Sequence, residues 1–149
     1  MNSQICVDAS LVIKLGLPEE ESDQVEALWR EWQLQQREIV APPLLYYEVT
    51  SVLRYAVHRE RLCQEEGTLI LELLLKLPIR LLAPHNLHVT AWGIAADLGH
   101  PAAYDAHYLA LAQILSCEFW TADRRLFQSA GSGMPWVKLV SSNDQSSSS

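Results

Sequence analysis

Five short apolar runs recur along this chain, at 4–7, 38–41, 79–82, 117–121 and 136–140, and longer stretches of helical periodicity lie between them. No two-residue turn of the Asn-Gly kind joins any run to the next. Strands without hairpins must be linked by crossovers, and helical crossovers make a parallel sheet covered on both faces. The pattern therefore predicts an α/β fold, with three layers (α/β/α) around a central, mainly parallel five-stranded sheet. It also predicts where chemistry belongs, because open parallel sheets bind ligands beyond the carboxyl ends of their strands, where the strand order reverses.

The helical stretches follow the same logic. After Pro18, three glutamates at 19–21 suit the positive end of a helix, and Val25, Leu28, Trp29 and Trp32 continue it at helical spacing to about residue 36. Pro42 and Pro43 open a second helix, in which Glu48, Val52 and Ala56 share one face. The next, over 64–77, is leucine-rich on nearly all sides and wants burial on two of them. A helix over 85–98 precedes another from Pro101 onward that carries Asp105 in its first turn or so, and a short one starts at Arg124. With 149 residues the chain makes one domain, 1–140, and the serine-rich remainder, 141–149, has nothing apolar to bury and is expected to be a disordered tail.

A net charge of −7 argues against a protein that grips nucleic acid by bulk electrostatics, so a nucleic-acid substrate would need cations and local basic residues. Cys6, Cys63 and Cys117 are odd in number, widely spaced and set in apolar segments, as expected of reduced thiols in a cytosolic protein. The N-terminus has no basic stretch ahead of an apolar run, and no segment approaches the ~20 apolar residues of a membrane span. The expected compartment is the cytoplasm.

Four acids stand out by their apolar settings: Asp8 in ICVDAS, Glu48 in LYYEVT, Asp105 in AAYDAHYL and Asp123 in FWTADRRL. Carboxylates are rarely buried unless they are paired or hold a metal. Asp8 and Asp123 end the first and fourth strands; if those strands are neighbours, the two acids meet, with Glu48 and Asp105 arriving from helices. Two carboxylates ~4 Å apart repel by about 4 kcal/mol at an effective dielectric near 20, so such a site asks for a cation. Mg²⁺ or Mn²⁺, hard ions that take oxygen ligands and keep waters, suit it better than zinc, and near a phosphate they activate water and stabilise a leaving oxygen. Singly, each acid has a plainer explanation: Asp8 and Asp123 as helix caps, Asp105 as a partner of the helix dipole, Glu48 as a solvated surface group. None of these explains why all four should converge.

These residues resemble the motifs of the PIN-domain ribonucleases, and among them the VapC-type toxins of bacterial toxin–antitoxin pairs. The resemblance covers residues 4–140 and rests on VDAS at 7–10, YEVTSVL at 47–53, YDAHYLALA at 104–112 and TADRRL at 121–126. Its specific part is the last two motifs, whose acids lie 18 residues apart. It implies a PIN-like fold in which Asp8, Glu48, Asp105 and Asp123 hold a divalent metal, Mg²⁺ or Mn²⁺, for phosphodiester hydrolysis in RNA. Ser10 matches the hydroxyl position after the first acid, where it would orient a water or a phosphate oxygen, and a helix N-cap role is compatible with that. Thr121 also matches a family position, although a Thr in a strand needs no special account. The implied activity is that of an endoribonuclease toxin acting on tRNA, rRNA or mRNA and leaving 5′-phosphate and 3′-hydroxyl ends.

For RNA contact the candidates are Lys14, Arg54, Arg124 and Arg125 at the rim of the site, with ordinary solvated charge as the alternative. Of the five histidines, His85, His88 and His100 fit no zinc spacing, and only His107, beside Asp105, is a site candidate. The leucine-rich helix, with the resemblance, implies a homodimer and a small antitoxin partner that docks near the cleft. The helix of Trp29 and Trp32 would offer the antitoxin a groove, unless those indoles are core. Two other functions fit parts of the pattern. A module that holds RNA or a protein without turnover would have no use for an intact acidic quartet, and a small-molecule phosphatase of the aspartyl-phosphate type would need a second Asp where this chain has Ser10.

Overall fold

The computed structural model describes residues 2–141, and in it the five strands form one all-parallel sheet in the order β3-β2-β1-β4-β5. β1 (Gln4–Val7) is central, paired with β2 (Glu38–Ala41) on one side and β4 (Glu118–Thr121) on the other, while β3 (Ile79–Leu81) and β5 (Val137–Leu139) form the edges. The chain builds outward from β1 to β3, returns across the sheet to β4 and ends at β5. Parallel crossovers are right-handed, so connections running in opposite directions along the sheet put their helices on opposite faces, giving three layers. The strand order reverses between β1 and β4. Val7 is level with Trp120 there, so Asp8 and Thr121 leave the sheet together. The serine-rich tail expected from residue 141 lies, beyond Ser141, outside the described residues.

The helices are α1 (Ala9–Val12), extended by a 3-10 turn over Ile13–Leu15, then α2 (Ser22–Leu34), α3 (Leu44–His58), α4 (Gln64–Leu75), α5 (Leu87–Leu98), α6 (Tyr104–Leu115) and α7 (Arg124–Ala130). None of the described helices is long and apolar enough to cross a membrane. The three glutamates at 19–21 precede α2 instead of forming its first turn, and Glu21 adopts a left-handed φ of 71°. The cause is local: the Ser22 hydroxyl accepts the Glu19 N–H at 2.9 Å and donates to the Leu17 carbonyl at 3.0 Å, which closes a turn before the helix begins.

Burial corrects two further expectations. Val25, Trp29 and Trp32 are all buried, and Trp32 meets Trp120 edge-on with ring centroids 5.8 Å apart. Both indoles of α2 are therefore core, and the groove expected from them is not formed. On α3 the buried stripe is Leu45, Val49, Leu53 and Ala56, so Val52 turns outward and Glu48 stands at the edge of the stripe.

α4 crosses α3 at Gly67, where a Cβ would lie 2.9 Å from Val57 Cγ2; the missing side chain is what allows the approach. Gly67 and Leu74 are buried, whereas Leu69, Leu73 and Leu75 remain exposed, so this apolar helix is covered on one side only. α6 is the most deeply buried helix at the site, with Ala106 and Tyr108 through Ala112 all inside. Phe119 of β4 is fully buried and stacks on Tyr108 at 6.1 Å between centroids. Phe119→Ala should therefore lower the unfolding free energy by about 3–5 kcal/mol. Urea denaturation reads this as a lower midpoint at unchanged slope, and a loss below about 1 kcal/mol would contradict the packing described.

Candidate active site

Each strand that leaves the sheet at the reversal leads into an acid that starts a helix. Asp8 is the N-cap of α1, and its Oδ1 accepts the Leu11 N–H at 3.1 Å. The Ser10 hydroxyl donates to the same oxygen at 2.8 Å, and the Thr121 hydroxyl donates to Oδ2 at 2.6 Å. Asp8 is only 5% exposed, so these three donors are what make its burial tolerable. Thr121 Oγ1 in turn accepts the Asp123 N–H at 2.9 Å, and Ser10 Oγ accepts the Ala122 N–H at 3.0 Å. The two hydroxyls thus stitch the end of β1 to the end of β4. Ser10 therefore positions that carboxylate, with its Oγ also 3.1 Å from Thr121 Oγ1, and the N-cap role belongs to Asp8. Thr121, the weaker candidate by sequence, makes the shortest bond to Asp8.

The other three acids are half-buried. Asp123 caps α7 through Oδ1, which accepts the N–H groups of Arg125 at 2.9 Å and Leu126 at 3.3 Å. Asp105 lies in the first turn of α6 and receives no hydrogen bond from the described residues. Glu48 Oε1 accepts the Tyr108 hydroxyl at 2.6 Å, which ties α3 to α6. Glu48, Asp105 and Asp123 line one cleft of about 500 Å³ together with His100, Arg125 and Tyr104, whereas Asp8 is buried and is coupled to the set through the charge of Asp123.

The four charges oppose one another. Burial pushes the Asp8 carboxyl up to about 7 in spite of its three donors, and the charge of Asp123 adds to the rise. Burial also raises Glu48, opposed by the Tyr108 hydroxyl and reinforced by Asp105, and it raises Asp105, reinforced by Asp123 and offset by His100. Burial and then the Glu48 charge lift the Tyr108 phenol far above its ordinary range, so it stays a donor. No Lys or Arg among the described residues is ion-paired to the set, for the ion pairs are Lys14–Glu19, Arg37–Glu118 and Arg80–Glu38, although Arg125 lines the same cleft.

Like charges held together without an ion-paired Lys or Arg among the described residues form an arrangement that a bound cation stabilises. The donor set is all oxygen, with Asp105 and one oxygen each of Glu48 and Asp123 unengaged, which fits a hard ion such as Mg²⁺ or Mn²⁺. Among the described residues no three His, Cys, Asp or Glu side chains stand close enough to form a ready ligand shell. An open set of this kind matches ions that bind one or two carboxylates and keep their waters.

Not every residue expected at the rim is there. Arg125 lines the cleft and Arg124 is exposed beside it. Lys14 is tied to the turn before α2, its Nζ donating to the Glu20 carbonyl at 2.8 Å and pairing with Glu19 at 3.5 Å. Arg54 lines a separate groove between α3 and α4 with Gln64 and Leu71. His107 lies about 200° around α6 from Asp105 and faces away, with Nδ1 bonded to the Ala103 carbonyl at 2.6 Å and Nε2 to His88 at 2.8 Å. His100 is the histidine at the cleft, and its place in the turn just before α6 was the available signal. Tyr108 was equally legible, one helical turn after Asp105.

The family model for the PIN domain matches residues 5–132. A VapC ribonuclease of Mycobacterium bovis and ribonuclease VapC9 of Mycobacterium tuberculosis are each 34% identical to this chain over 122 residues, covering 82% of it and 87% of the relative. Ribonuclease VapC3 of Pyrobaculum aerophilum is 32% identical over 124 residues, covering 83% and 92%. Among solved structures, PAE2754 from Pyrobaculum aerophilum superposes with a TM-score of 0.65 at 22% identity, over 87% of each chain. Mycobacterium tuberculosis VapC20, a sarcin–ricin loop cleaving toxin, gives 0.62 at 17% identity, over 85% of this chain and 95% of that one. These two likenesses show the fold.

Asp8 sets a pH dependence of stability. Its folded pKa of about 7 lies above the unfolded value near 3.9, so the folded chain binds the extra proton between them. Stability of the metal-free protein is therefore fully present below about pH 4 and is lost as pH rises through 7, by up to roughly 4 kcal/mol from this group. Glu48 and Asp105, also raised, act in the same direction. Asp8→Asn removes the titration while keeping hydrogen-bonding atoms at both positions. In EDTA the variant should be at least as stable as the parent at about pH 7.5, with a flatter urea-denaturation profile from about pH 5 to 8. An equally steep profile would remove Asp8 as the source.

Proposed function

Since this chain belongs to the PIN-domain family, with VapC ribonucleases as its relatives, we propose that it is a Mg²⁺- or Mn²⁺-dependent endoribonuclease and the toxin of a toxin–antitoxin pair. What carries this reading is the acidic quartet at the reversal of strand order, crowded, partly buried and ion-paired to no Lys or Arg among the described residues. A divalent cation held there supplies an activated water and stabilises charge on the phosphate and on the leaving oxygen. Glu48, Asp105 and Asp123 face the cleft and would hold it, with Asp8 adding its buried charge. Ser10 and Thr121 keep Asp8 in place, and Tyr108 fixes the Glu48 carboxylate. Arg125 offers a cation on the rim for an incoming phosphate.

The substrate class is RNA, drawn from tRNA, rRNA or mRNA, and hydrolysis leaves a 5′-phosphate and a 3′-hydroxyl. Asp8 is poorly suited to be a phosphatase nucleophile, since both its oxygens are engaged below the surface. The exposed Leu69, Leu73 and Leu75 of α4 support assembly into a homodimer, and a small antitoxin would restrain the enzyme in the cytoplasm.

Asp105→Asn should cut the cleavage of total cellular RNA by on the order of 10²-fold or more, with the circular dichroism spectrum unchanged. EDTA should stop the parent enzyme, and Mg²⁺ or Mn²⁺, but not Zn²⁺, should restore it. Retention of more than half the activity in Asp105→Asn, or cleavage that resists EDTA, would sink the proposal, and so would RNA that is bound but never shortened.

A further inference from the structure

Two exposed tyrosines sit immediately before site acids on two different helices: Tyr47 before Glu48 on α3 and Tyr104 before Asp105 on α6, with exposures of 74% and 65%. Adjacent helical residues diverge by about 100°, so each tyrosine is turned from its acid onto the neighbouring wall. The two turn toward the same place. Tyr47 and Tyr104 line one recess of about 390 Å³ with Pro42, Pro43, His88 and His107. Tyr104 also lines the acidic cleft, so recess and cleft adjoin at this side chain. The His88–His107 pair, edge to face at 5.0 Å between centroids and anchored on the Ala103 carbonyl, gives the recess a braced, flat-sided wall.

We propose that this recess is a base-stacking subsite, which seats an unpaired nucleobase next to the phosphate held in the cleft. The inference rests on the ribonuclease reading and adds to it a second contact on the substrate, a base that must be unpaired because paired bases have their faces covered. Charge selects this occupant. With 11 Lys and Arg against 18 Asp and Glu, the chain cannot hold RNA chiefly through its phosphates, which the acids repel. Stacking on an aromatic face escapes that repulsion and typically strengthens binding roughly 5- to 150-fold per base. Tyrosine suits the task, with a flat face for the base and a hydroxyl that tolerates water.

The test uses the full chain as the Asp105→Asn variant in Mg²⁺, so that RNA is bound but not cut, and a 5′-fluorescein-labelled 12-nucleotide oligoadenylate read by fluorescence anisotropy. A strand of equal length with abasic positions is the comparison. The base-bearing strand should bind at least about 10-fold more tightly, Tyr47→Ala should erase the preference and Tyr47→Trp should keep it. Equal binding of the two strands, no binding of either, or a preference that survives Tyr47→Ala overturns the subsite. So does a Tyr47→Ala effect confined to the sedimenting mass, which would give the recess to a second copy of the chain. Cleavage of unlabelled RNA by the parent protein in Mg²⁺ is scored separately. A base preference without cleavage leaves the subsite and removes the ribonuclease reading, whereas cleavage without base preference does the reverse.

Discussion

The 2.6 Å hydrogen bond from the Thr121 hydroxyl to Asp8 Oδ2 joins the ends of the two strands between which the sheet reverses its order. A parallel sheet opens a crevice at such a point, and without a tie the two strand ends would be free to splay. Ser10 repeats the link through its own bonds to Asp8 and to the Ala122 backbone. Because Thr121 also accepts the Asp123 N–H, the same hydroxyl sets the backbone that carries the second acid. The spacing of Asp8 and Asp123 is thus fixed by two hydroxyl side chains and not left to loop conformation. Tyr108 does for Glu48 what Thr121 does for Asp8, and it does so from the helix that carries Asp105.

This bracing has an electrostatic cost. Hydrogen bonds to a carboxylate favour its charged form, yet Asp8 still rises to about 7, so burial outweighs three donors. The ionised Asp8 carboxylate is therefore a destabilising group in the metal-free fold. Such strain is usual where a ligand is expected to complete the charge balance, and a bound cation would do so under the proposed function.

Much of this was legible in the residues. Asp8 and Asp123 could be placed because strands end where β-branched runs stop, and Asp105 because its helix is long and strongly periodic. What escaped were properties of neighbours. Periodicity put Glu48 in line with Val52, but tertiary packing chose the Leu45–Val49–Leu53 stripe and rotated the helix by one position. Sequence proximity favoured His107 over His100, although two residues along a helix are nearly opposite in direction. Trp29 and Trp32 fit a surface groove and a core equally well by spacing, and Trp120, distant in sequence, decided for the core. Lys14 could not be discounted until the turn that captures it was seen. The plain cap roles of Asp8 and Asp123 are both formed and are compatible with the proposed site role, since one carboxylate oxygen can serve a helix while the other serves a neighbour.

The central claim is that four mutually repelling carboxylates share one cation, and Mn²⁺ binding measured by electron paramagnetic resonance tests it without reference to any RNA. The signal of free Mn²⁺ should be depleted saturably by the parent protein at neutral pH, should be displaced by excess Mg²⁺, and should weaken at least about 10-fold in Asp105→Asn with the fold intact. No depletion at millimolar Mn²⁺, or depletion that Asp105→Asn leaves unchanged, would contradict the account.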